Sequence, residues 1–265
     1  MSLRAILRVP REHGAWAMLC VPLVTGVLVA WSFPLRVLLF GISATLLFIA
    51  RESSASWWRS HRRGERRTEA LERVIIYLGL GGLLIAPLLF IDRLYLLVPL
   101  GLAALLLLAI NAEQASKRVD RTIFGEVLAI AGLTMTAPAA HYVALGEWHP
   151  VAFWLWLLSA LYFVSSVFYV RLRVNLINSR RQAERKIAWR RCASYHAFLL
   201  LSLFLLTASD RLSLFALAAF APALTRASWS LIKPIGQLNL KRLGMLEIVY
   251  SVVFLIFITL TFRVA

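Results

Sequence analysis

Long apolar runs alternate with short polar connections from one end of the chain to the other. A helix that crosses a bilayer needs about 20 mostly apolar residues. Nine stretches approach that length: 13–32, 34–50, 73–91, 94–111, 122–143, 150–170, 192–209, 211–232 and 246–263. The second is short, and its helix is expected to continue into "RESSASWW". The pattern predicts an all-α, polytopic membrane protein of nine transmembrane helices, a single integral membrane domain over residues 1–265. The first run lacks a small-residue cleavage signature and leads straight into further spans, so it reads as a retained helix and not a signal peptide.

Composition agrees with the pattern. The chain is 60% hydrophobic with a mean hydropathy of +0.76, whereas soluble domains are nearer half apolar. The net charge of +16 could suggest nucleic acid, but its distribution points to a bilayer. All of the 29 Lys and Arg residues fall in alternate connections except Arg36, Arg93, Arg211, Arg263 and the intraspan Arg226. Such asymmetry is the positive-inside pattern. It predicts a multi-pass protein of a cytoplasmic membrane, with the N-terminus cytoplasmic and the C-terminus outside. No nucleic-acid partner is expected. Cys20 and Cys192 form no metal-type pair, and no disulfide is predicted.

Two connections are unusually long and basic: "RESSASWWRSHRRGERRTEALER" over 51–73 and "RLRVNLINSRRQAERKIAWRR" over 171–191. They are predicted to form cytoplasmic caps. Arg51 and Glu52 follow one apolar run directly, and Arg171 and Arg173 follow another. Charge at that depth is usually paired or turned to a cavity, because an isolated ion at a helix centre costs about 2.5–3.5 kcal/mol. Glu126, His196, Arg226 and Glu247 fall at the same predicted depth. So do Glu12 and His13, at the start of the first run. Glu12 shares a helix face with Trp16, four residues on, and complements the helix N-terminus. That accounts for Glu12 but not for His13. A polar chamber open to the cytoplasm accommodates all of these groups.

The stretch "REHGAWAMLCVPLVTG" resembles the signature of the YwiC-like family of bacterial membrane proteins. Nine helices with long cytoplasmic segments after the second and sixth also resemble the UbiA-type intramembrane prenyltransferases. In those enzymes two Asp-rich motifs bind magnesium and a prenyl diphosphate. The resemblance implies a UbiA-like helical bundle acting on an isoprenoid or quinone-type lipid. The first family motif, N-D-x-x-D-x-x-x-D, falls on Arg51, Glu52, Ala55 and Arg59. The second falls near Arg171 and Asn175, with no acid before Glu184. Magnesium takes oxygen ligands, usually carboxylates and phosphates, so a metal is disfavoured and no cofactor is expected.

Guanidinium groups bind phosphate directly and bidentately. Arg51, Arg59, Arg171 and Arg173 are therefore the expected head-group ligands, with Trp16, Asn175, Asn178 and Glu247 completing the binding set. Glu12, His13 and Glu52 are the catalytic candidates for acid–base work, His being poised near neutral pH. Membrane lipids, an isoprenoid or quinone precursor among them, are the expected partners. The alternative is a non-catalytic membrane protein, either a lipid-binding accessory subunit or a small-molecule transporter. The sequence leaves the oligomeric state open.

Overall fold

A computed structural model describes residues 13–62, 68–116, 122–179, 181–233 and 240–264. Every element among them is an α-helix: α1 His13–Ala30, α2 Leu35–Arg62, α3 Thr68–Phe90, α4 Leu97–Ser116, α5 Ile123–Thr134, α6 Thr136–Leu145, α7 Val151–Asn178, α8 Gln182–Ala208, α9 Leu214–Ile232 and α10 Leu240–Arg263. Each of the nine predicted apolar runs coincides, to within three residues at either end, with part of a helix or, for 122–143, with the pair α5 and α6. The extension of the second run is as expected: α2 passes through Arg51 and ends at Arg62.

The count of nine spans needs correction. Among the described residues six helices are long and apolar enough to cross a membrane: Thr68–Phe90, Ile123–Leu145, Val151–Ile177, Gln182–Ala208, Leu214–Ile232 and Leu243–Arg263. The other three fall short for a geometric reason. The apolar part of α1, Gly14–Ala30, covers about 25 Å at 1.5 Å per residue, against a hydrocarbon core of about 30 Å. The apolar part of α4 runs from Leu97 to Ile110 before Asn111 and Glu113, about 21 Å at the same rise. In α2 the apolar stretch stops at Ala50, and the helix continues through Arg51, Glu52 and Arg59.

Contacts divide the chain into two compact units, Met1–Trp156 and Leu157–Ala265. In the first, α1 lies against α6 at backbone range. A Cβ on Gly26 would stand 2.3 Å from the carbonyl oxygen of Ala137, so only glycine permits this approach. Beside it the Thr136 hydroxyl donates to the carbonyls of Leu19 (3.0 Å) and Leu133 (2.9 Å). Pro138 sits in the first turn of α6, where a missing N–H costs little. The helix ends at Gly146, whose φ of 86° is the left-handed conformation that suits glycine at a C-terminus.

Arg36, in the first turn of α2, closes that end of the unit. Its Nε donates to Val143 O at 2.6 Å and one terminal nitrogen to Ala144 O at 3.2 Å, while the other lies 3.6 Å from Asp92. A cation on the last carbonyls of α6 satisfies acceptors that the helix cannot and complements its dipole. On the neighbouring face, the Ser43 hydroxyl donates to Gly81 O at 2.8 Å and joins α2 to α3.

The second unit has an aromatic core. Tyr162 stacks on Phe254 with centroids 4.2 Å apart, and Phe220 meets Phe254 edge-on at 5.4 Å. Phe168 stacks on Tyr195 at 4.6 Å, and the Tyr195 hydroxyl donates to Leu161 O at 2.7 Å. Trp189 Nε1 donates to Leu231 O at 3.1 Å, linking α8 to α9. Offset-stacked and edge-on pairs of this kind add to the stabilisation from buried area.

Candidate functional site

The first unit encloses a cavity of about 330 Å³ lined by residues between Leu19 and Ala139. One wall is a single stripe of α2: Phe40, Ala44, Leu47, Arg51 and Ser54. Their spacing of four, three, four and three residues keeps them on one helix face. The stripe is about 20 Å long at 1.5 Å per residue. Its first three members are apolar, and its last two carry a guanidinium and a hydroxyl. The lining from α4 and α5 mixes leucines with small residues, Gly101 and Ala104 of α4 and Ala129 and Gly132 of α5. Small side chains leave the space that large ones would fill. The result is an apolar slot with a cation at one end of the α2 wall. The Ser54 hydroxyl donates back to Ala50 O at 2.8 Å.

The predicted residues fall as follows. Glu12 lies outside the described residues. His13 is the first residue of α1, and its side chain lies outside the described set, as do those of Glu52, Arg59 and Asn178. Trp16 packs edge-on against Phe48, centroids 4.9 Å apart, and contacts the cluster of Ile49, Ala50 and Tyr77. It therefore ties α1 to α2 and α3. Arg51 lines the cavity.

Arg171, Arg173, Asn175 and Glu247 belong to the second unit. Arg173 donates to the Tyr169 hydroxyl at 3.3 Å, and the Asn175 amide donates back to Arg171 O at 2.9 Å. Arg171 is half-buried. Glu247 is engaged by a residue that the head-group set did not include: it forms an ion pair with Arg226. Arg226 also donates to the Ser166 hydroxyl at 2.9 Å. Its guanidinium carbon lies 4.7 Å from the Tyr169 ring and 5.2 Å from the Tyr250 ring. A cation at such distances is attracted by the ring faces. Three helices, α7, α9 and α10, thus share one buried charge.

Sequence reasoning placed Arg226, Glu247 and His196 at one depth but missed Ser166, Tyr162, Tyr169 and Tyr250. A signal was present. Positions 162, 166, 169 and 173 follow the spacing of one helix face, so the polar groups of α7 line up towards the arginine. Among the described residues no three His, Cys, Asp or Glu side chains gather closely enough to hold a metal ion.

Six helices long and apolar enough to cross a membrane, among the described residues, mark a multi-pass membrane protein. The family model of the YwiC-like proteins matches residues 9–141, half of the chain, and the protein belongs to that family. The match covers most of the first unit and none of the second. No curated protein and no solved structure matches the chain.

Proposed function

We propose that this YwiC-like protein binds an isoprenoid or quinone-type lipid in its first unit, with the apolar tail in the cavity and an anionic head against Arg51. The observation that carries this reading is the cavity itself. Ligand pockets are mostly apolar clefts of about 300–1,000 Å³ with a few placed polar groups, and a 330 Å³ slot with a guanidinium at one end of its α2 wall fits that description. A guanidinium holds phosphate or carboxylate without a metal. Arg59 is a further head-group candidate of the same unit, and Glu12, His13 and Glu52 would add acid–base chemistry if the lipid is transformed.

The test uses native mass spectrometry on the full chain purified in mild detergent. The expected result is a retained prenyl lipid, lost when Ala104→Phe fills the slot and bound at least ten-fold more weakly in Arg51→Gln if its head is anionic. Equal retention by the wild type and Ala104→Phe would remove the cavity from the argument. The charge pattern further supports a cytoplasmic position for segments 51–73 and 171–191, which requires α4 to cross the bilayer together with α3, the α5–α6 pair and α7. Reporter fusions after Arg67 and after Arg185 should both report cytoplasm.

A further inference from the structure

The turn between α6 and α7 brings two histidines of the first unit together. Gly146 ends α6 in the left-handed conformation, and the chain doubles back. Trp148 then lies beside Tyr142, ring centroids 6.4 Å apart, and His149 lies beside His141 at 6.2 Å. The backbone of His149 is fixed at the start of α7, where its carbonyl accepts from Ala152 N at 2.9 Å. The surroundings of the two rings differ. His141 is only 3% exposed, and its Nδ1 is buried with no hydrogen-bond partner among the described residues. His149 is exposed, and its Nδ1 accepts from Val151 N at a long 3.3 Å.

Buried polar atoms almost always have a partner, and an imidazole nitrogen takes either a hydrogen bond or a metal ion. The ring spacing separates these. A direct N–H···N bond between two imidazoles would set their centroids about 5 Å apart. An ion about 2.0–2.1 Å from a nitrogen of each ring holds the centroids about 5–6.4 Å apart, according to the angle at the metal. The observed 6.2 Å is too wide for the first and falls within the second. Charge also favours a cation. Arg36, at this end of α6, is already held by Asp92 and by the carbonyls of Val143 and Ala144. Glu147 stands exposed in the turn between the two histidines.

We infer that His141 and His149 form a site for a divalent transition-metal ion of the copper or zinc type, which clips the α6–α7 turn to the helix it leaves. Imidazole suits these ions. Among the described residues no third His, Cys, Asp or Glu completes the set. Water therefore takes the remaining positions, and the ion is exchangeable. The site is separate from the lipid slot and does not rest on that reading.

Copper(II) is the probe, because it binds most tightly of the divalent first-row ions at a given nitrogen or oxygen site. Equilibrium dialysis of the untagged full chain in mild detergent should find an ion that His149→Gln holds at least ten-fold more weakly. His149 is exposed, so its replacement spares the packing. His141→Gln, where it is recovered folded, should weaken binding to the same degree. Electron paramagnetic resonance should show two imidazole nitrogens on the copper of the wild type and fewer in His149→Gln. Equal binding by the wild type and His149→Gln would mean an adventitious ion at other groups and would overturn the site. So would a wild type that takes up no copper, whose two rings would then share a water.

Discussion

The two units solve opposite problems. The first is built around space: small residues among the leucines of α4 and α5 join a stripe of α2 in lining an apolar slot. The second is built around charge: Arg226 is buried, and Glu247, Ser166 and two tyrosines gather to hold it. Apolar volume left empty loses contacts that a ligand can restore. A buried ion tolerates no such vacancy, because desolvation must be offset at once by partners. The family match falls on the unit with the slot, whereas the charged cluster stands outside the matched residues.

The largest expected effect breaks the second unit. Arg226→Leu or Glu247→Leu alone leaves one buried charge without its partner and should cost about 3–5 kcal/mol. This would be read as loss of folded protein from the membrane or as a much lower unfolding midpoint in detergent. The double replacement should recover most of the loss. A double variant as unstable as the singles would show that the pair is not the source of the cost.

A smaller effect is expected at the helix contact of the first unit. Gly26→Ala forces α1 away from α6 and should cost about 1–3 kcal/mol, the usual range for overpacking. Thermal unfolding measures it, and lipid retention by the slot should fall with it, since Leu19 of α1 and Thr136 of α6 both line the cavity. Retention that survives a clear drop in stability would separate the slot from the α1–α6 contact.

The smallest lies at the end of α6. Arg36→Met removes two side-chain bonds to terminal carbonyls and the contact with Asp92, with an expected cost of about 1 kcal/mol. Its guanidinium is partly exposed, and added salt should narrow the difference from the wild type. A salt-independent difference would mean that the carbonyl bonds, not the ion pair, carry the effect.

The helices were legible in the sequence because a bilayer-sized apolar run leaves few alternatives. The number of spans was not. The continuation of α2 past Ala50 was readable, but hydropathy alone does not separate an apolar stretch somewhat shorter than the bilayer core from a full span. Arg226 and Glu247 were legible as polar groups at one depth, but their pairing depends on how α9 and α10 face each other. The serines of "FVSSVFYV" show the limit clearly. Ser165 donates to Tyr162 O at 2.6 Å within its own helix, whereas the adjacent Ser166 receives Arg226. Two identical residues in an apolar context play different parts, and only the packing tells them apart. The slot was illegible for a related reason, since glycine and alanine in a membrane helix signal close packing as readily as a gap.

The contact at Gly26 bears on how the gene itself can vary. Every single-base change of a glycine codon that alters the residue introduces a Cβ, and here that atom would meet a backbone carbonyl. No synonym in chemistry lies one mutational step away. Gly14, Gly41, Gly79, Gly82 and Gly101 have open space where a Cβ would stand, so the same base changes there meet no such wall. Random mutagenesis scored for protein in the membrane should therefore return substitutions at those five positions and almost none at position 26.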